Sequence, residues 1–208
     1  MLLTGFTPFD GREVNASWQL ARQVSTSWHD LEVSRAWNLD ILEIPVRWNA
    51  PEQAIDEFLS HPGHNTPSVI VSLGEGRENW FDLETRANNQ RQQRVDNDLM
   101  LPGSPSIHPS GPDIVRSSFD HLALQKILLA KGFPVRRSLS AGGFICEETL
   151  YIIEKLRLRT PSVKAVVFVH LPPWGTAIYT GESRRVCETD LLGSFGIQLV
   201  NAVLGMIS

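Results

Sequence analysis

Residues 165–170 read Ala-Val-Val-Phe-Val-His, five apolar side chains in succession and then a histidine. A short apolar run without polar alternation is the mark of a strand covered on both faces. Amphipathic stretches flank it: Glu147–Leu158, which stops before Thr160-Pro161, and Glu182–Met206. The same alternation recurs outward from here. Strands are expected at Met1–Phe6, Leu39–Pro45, Val69–Leu73 and Val135–Ser140, with helices at Ala16–Ser27, Glu52–Ser60 and Asp113–Lys131, the last ending at Gly132. Asn15 is a fitting N-cap for the first helix, whose buried stripe is Trp18, Leu20, Ala21 and Val24. Strands alternating with helices point to an α/β domain. With 208 residues and no repeat or biased linker, a single domain over 1–208 is the expectation.

Composition narrows the function. The chain carries 19 basic and 23 acidic residues and no long basic run, so nothing draws it to nucleic acid or to anionic lipid. The opening MLLTGFTPFDGREVNAS has too short an apolar run for a signal peptide or a membrane span. Two cysteines, Cys146 and Cys187, are too few for a disulfide scaffold, and a reduced cytoplasmic setting is expected. In that setting the Asn15-Ala16-Ser17 sequon has no meaning. No G-x-S-x-G, H-E-x-x-H or Walker motif is present, and Gly74-Glu75-Gly76 lacks the third glycine of a dinucleotide fingerprint. The histidines at 29, 61, 64, 108 and 121 read as surface residues without ligand spacing, so no metal site is expected.

One region concentrates chemistry. In SLSAGGFICEETLYIIEKL, residues 138–156, a strand ends in Ala141-Gly142-Gly143 and a helix starts just after Cys146. Helix-terminal N–H groups favour a thiolate there, and N–H groups near Gly143–Cys146 can hold an oxyanion. A buried structural cysteine is the alternative. Cys187 reads as a structural residue within the last helix. A cysteine nucleophile needs a base, and His170 ends a strand whose carboxyl end lines the ligand crevice of a parallel sheet. A backbone-satisfied histidine is the alternative there. A third, orienting group would come from the acidic residues after Val69–Leu73. The polar stretch from Gly74 to Pro112, almost without hydrophobic period, reads as a long loop.

These residues resemble a known family, the type I pyroglutamyl peptidases, which are cysteine peptidases using Glu, Cys and His. LLTGFTPFDGREVNAS (2–17) resembles the family's LLTGF-x-PFGG-x-x-VNPS, and ETRANN (84–89) its ERVAIN. SLSAGGFICEE (138–148) is similar to S-x-TAGTFVCN, FVHLP (168–172) to FIHVP, and SIHPSGP (106–112) to a segment ending in Gly-Pro before a helix. The resemblance implies a single three-layer α/β/α sandwich with a mostly parallel, mixed central sheet. It implies Cys146 as nucleophile, His170 as base and then acid, and Glu84 as third member, with Glu78 and Asp82 as rivals for that place. It further implies that Phe6, Phe9 and Phe144 wall a pocket for a flat lactam, with Asn15 close by, and that Arg94 supports the site from a loop it shares with Glu84. Core packing for Phe6 and Phe9, and a solvated surface charge for Arg94, are the alternatives.

Implied too are peptide substrates with N-terminal pyroglutamate, homodimers or homotetramers, and no metal or cofactor. Three departures stand out. LGEGR (73–77) puts Glu75 where the family's GQAGGR has a lactam-contacting Gln; Glu147-Glu148 replace Asn-His after the cysteine, where two carboxylates should blunt a thiolate; and QQRVDND (92–98) loses the proline of DARIPDN. They keep two alternatives open: a cysteine amidase on a related lactam or acyl amide, or a non-catalytic ligand-binding homologue.

Overall fold

The computed structural model describes residues 1–181 and 183–207. Six strands form the central sheet: β1 (Leu2–Phe6), β2 (Asp40–Ile44), β3 (Val69–Glu75), β4 (Phe81–Glu84), β7 (Val135–Ser138) and β8 (Ala165–Leu171), in the order β2-β1-β3-β8-β4-β7. Four neighbour pairs are parallel, and only β4 against β8 is antiparallel. Two two-stranded antiparallel sheets lie outside this sheet: β5 (Arg86–Asn88) with β6 (Ile114–Arg116), and β9 (Ala177–Thr180) with β10 (Ser183–Val186).

Period-2 alternation divides the core into two layers. Val167, Val169 and Leu171 of β8 join Leu3, Val71 and Leu73 on one face, under α1 (Ala16–Ser27), α3 (His121–Ala130) and α5 (Thr189–Gly205). Val166 and Phe168 join Leu2, Phe6, Ile44 and Ile70 on the other, under α2 (Ala50–Ser60) and α4 (Ile145–Arg159). Three layers follow because a sheet with two apolar faces has to be covered twice. The Asn15 side chain accepts the Ser17 N–H and so starts α1 where expected.

Several expectations need correction. The stretch 74–112 is not one loop: β4 enters the central sheet from it, and β5 follows. The helix expected over 113–131 divides, because β-branched Ile114 and Val115 pair with β5 and the helix waits for Asp120, whose carboxylate accepts the Ala123 N–H at 2.9 Å. The helix expected from Glu182 begins only at Thr189; Ser183–Val186 is a strand, and Glu182 itself lies outside the described residues. Cys187 therefore sits between β10 and α5 rather than within a helix. It is fully buried, with its thiol 3.1 Å from the Pro172 carbonyl oxygen. His121 is buried, not a surface residue. No helix among the described residues is long and apolar enough to cross a membrane.

Candidate active site

Three elements converge at the carboxyl end of β8. His170 is its penultimate residue and projects to the face covered by α4, opposite to Val169 and Leu171. In the antiparallel register Asp82 lies directly across from His170 and Glu84 across from Phe168. Glu84 is two residues from Asp82 and shares its face, which brings the carboxylate diagonally to the imidazole. Glu84 Oε1 lies 2.8 Å from His170 Nδ1, and both side chains are buried. Asp82 is engaged elsewhere, in a fork with Arg136 and a looser pair with Arg77 at 3.3 Å. Glu78 is exposed on the turn before β4.

Cys146 comes from the opposite wall. It lies in the first turn of α4, which begins at Ile145 rather than just after the thiol. Gly142 and Gly143, at φ 91° and 72°, make the left-handed turn that delivers the chain into this helix. The thiol is partly exposed and lies close to His170. Beneath the pair lies Gly74 of β3, in register with His170. A Cβ on Gly74 would stand 2.8 Å from Cys146 Sγ and 3.2 Å from His170 Nε2. Burial by itself would lower the basicity of His170, but the Cys146 thiolate and then Glu84 reverse this and push its pKa up to about 10. The arrangement places the imidazole between the thiol and a carboxylate, with first-turn N–H groups, which lack intrahelical acceptors, beside the sulfur.

The departures from the family motifs have geometric answers. Glu147 is buried and both its carboxylate oxygens are engaged. Its Oε1 accepts from Asn88 N at 2.6 Å and Nδ2 at 3.2 Å; its Oε2 accepts from Gly143 N at 3.2 Å and from Ser140 Oγ at 3.4 Å. Burial raises its carboxyl pKa, and the Asn88 and Gly143 donors oppose that. The Gly143 N–H is thus spent, which leaves oxyanion binding to the first turn of α4. Glu148 is also buried; it pairs with Arg91 at 2.9 Å and accepts the Asn49 N–H at 2.8 Å. Burial raises its pKa as well, against the pull of Arg91. Glu75 Oε1 accepts from Ala16 N at 3.1 Å and Trp174 N at 2.8 Å, while Oε2 pairs with Arg12 at 2.6 Å.

An open cleft of about 540 Å³ reaches these groups, with His170, Glu84, Glu75, Phe9, Phe144 and Arg94 on its walls. Arg94 lies with its guanidinium carbon 4.4 Å from the Phe144 ring centre and 5.9 Å from that of Phe9, and pairs with Asp10. Phe6 and Asn15 are elsewhere. Phe6 is buried in the sheet core, and Asn15 spends its amide on Thr7 O and its carbonyl on Ser17. Arg77, Ser138 and Leu139, which also line the cleft beside Asp82, were not among the expected residues; the charge density of LGEGR was their only signal. Among the described residues no three of His, Cys, Asp or Glu are gathered as a metal site.

A family model described as pyroglutamyl peptidase matches residues 1–184. The chain is 31% identical to the pyrrolidone-carboxylate peptidase of Gloeobacter violaceus, over 98% of this chain and 96% of that one. Identity to the Staphylococcus aureus protein of the same name is 28%, over 83% and 78%. Among solved structures, the pyrrolidone carboxyl peptidase of Fervidobacterium islandicum AW-1 superposes with a TM-score of 0.81 at 27% identity, covering 99% of this chain and 97% of that chain. Pyroglutamyl peptidase I of Bacillus amyloliquefaciens, at 21% identity, shares the fold with a TM-score of 0.77 over 98% and 96%.

Proposed function

The chain belongs to the pyroglutamyl peptidase family, and from that premise we propose that Cys146, His170 and Glu84 carry out the removal of an N-terminal pyroglutamyl residue from peptides. The observation that carries the assignment is the position of His170, with Glu84 2.8 Å from Nδ1 and the Cys146 thiol converging with Nε2 of the same ring over Gly74.

The Cys146 thiolate attacks the carbonyl that joins the pyroglutamyl group to the next residue, and first-turn N–H groups of α4 hold the oxyanion. His170, its Nδ1–H held by Glu84, gives its other proton to the leaving amine as the tetrahedral adduct collapses to a thioester. The same nitrogen then takes a proton from water, which attacks the thioester and frees pyroglutamate and the thiolate. Phe9 and Phe144 suit the faces of a flat lactam, and Arg94 adds a donor between them. Phe6 and Asn15 support this wall from behind, through the core and the α1 N-cap.

Both rival readings lose their motive. The lactam amidase rested on Glu75, which is committed to Arg12 and two backbone N–H groups, and the non-catalytic homologue rested on Glu147 and Glu148, whose carboxylates are engaged by Asn88, Gly143 and Arg91. We read residues 1–208 as one domain in a reduced cytoplasmic setting, which suits two free cysteines. The exposed run Leu99, Met100 and Leu101 supports assembly as a homodimer or homotetramer.

Hydrolysis of a fluorogenic pyroglutamyl amide tests the assignment. Wild type should turn it over, and Cys146→Ala and His170→Ala should each lose at least about a thousandfold. An inactive wild type, or an active Cys146→Ala, rejects it.

A further inference from the structure

The cleft wall carries two distinct side-chain clusters. Phe9, Phe144 and Arg94 pack together in one, the aromatic end; Asp82 and Arg77 form the second, paired with each other, and Ser138, Leu139 and Ser140 line the same cleft. If the aromatic end takes the ring, as proposed above, the leaving residue lies along the second end. Asp82, directly across from His170 in the β4–β8 register, begins that end beside the group that protonates the leaving amine.

The second end is cationic. The Asp82 side chain is 2% exposed and serves two guanidiniums. Arg136 approaches through Nε and Nη2, the fork that satisfies a carboxylate. Arg77 adds a second, looser contact through Nε at 3.4 Å and Nη2 at 3.3 Å, and its side chain is 67% exposed. One carboxylate between two guanidiniums leaves a net positive charge, and Arg77 carries it to the cleft wall. Of the nearby acids, Glu75 is bound to Arg12, Glu84, whose charge also reaches Arg136, is paired with His170, and Glu78 makes no ion pair among the described residues. Leu139, 59% exposed, offers an apolar surface for the stem of a side chain.

We infer that Arg77 is a specificity-determining residue that favours substrates presenting a carboxylate just after the pyroglutamyl group, on the side chain or as the terminus of a dipeptide. This rests on the pyroglutamyl reading of the same site. The test compares kcat/KM for pyroglutamyl-glutamic, -glutamine and -lysine amides at low and high salt, in wild type, Arg77→Gln and Arg77→Glu. An exposed charge pair is worth about two- to fivefold, so wild type should prefer Glu over Gln by that factor and disfavour Lys, with the spread shrinking in salt. Arg77→Gln should flatten the order and Arg77→Glu reverse it. Pyroglutamyl-alanine against its amide decides the source of the carboxylate: an advantage for the free acid that Arg77→Gln abolishes adds the main-chain terminus to the recognised group. Hydrolysis with equal rates for Glu and Gln, or an order unchanged in both Arg77 variants, overturns the inference alone. No hydrolysis of any substrate overturns the pyroglutamyl reading and the inference with it.

Discussion

Replacing Gly74 by alanine adds one carbon at the point where the thiol and the imidazole meet. That carbon would stand 2.8 Å from Cys146 Sγ, 3.0 Å from His170 Cδ2 and 3.2 Å from Nε2. Comfortable contact begins near 3.5 to 4.0 Å for carbon pairs, so the two groups must part by roughly 0.5 to 1 Å. Neither can yield easily, since His170 is fixed by Glu84 and Cys146 by the first turn of α4. A displacement of about 1 Å at reacting groups costs on the order of a hundredfold in rate, or about 2.7 kcal/mol of transition-state stabilisation. The strain should cost only about 1–3 kcal/mol of folding free energy, which for a chain of this size lowers Tm by about 2–12 °C. Steady-state hydrolysis of a pyroglutamyl amide at a temperature where circular dichroism shows the variant folded separates the two effects. A folded Gly74→Ala protein with kcat/KM within threefold of wild type would refute the claim that this glycine sets the distance between nucleophile and base.

The ionisation of His170 gives a second expectation. Its pKa is raised from 6.5 to about 10, so the pairing stabilises the fold fully below about pH 6.5 and its contribution fades as pH rises through 10. The imidazole NMR signal should stay protonated to pH 9 in wild type and titrate lower in Cys146→Ala, because the thiolate is the largest influence raising it; a wild-type midpoint near 6.5 would contradict this. Glu147→Ala leaves the part-buried N–H groups of Asn88 and Gly143 without this acceptor, at up to about 1–3 kcal/mol each. Urea denaturation should show a loss of about 2–5 kcal/mol together with a lower kcat, and a variant as stable and as fast as wild type would remove Glu147 from the support of the nucleophile's turn.

Much of this was readable in advance because some residues announce their environment. The run AVVFVH could only be a strand covered on both sides, and a cysteine after Ala-Gly-Gly, leading into an amphipathic stretch, could only enter a helix. β4 escaped because between its core residues Phe81 and Leu83 stand Asp82 and Glu84, which look solvated until Arg136 and His170 are placed beside them. Glu147 and Glu148 misled for the same reason. Their partners, Asn88 and Arg91, lie more than 50 residues away in sequence, and a buried carboxylate cannot be told from an exposed one without them. Asn15 shows the reverse: the local N-cap signal was correct, and it left no polar atom for a pocket.

The contrast between the two thiols has a practical side. Burial, with Glu75 and Glu188 adding to it, pushes the Cys187 thiol up to about 12, while Cys146 is partly exposed. A colorimetric thiol reagent therefore finds one equivalent in the folded chain and two in denaturant. Prompt labelling of the native protein becomes a head-count of intact centres, so that turnover can be expressed per working site instead of per milligram of protein.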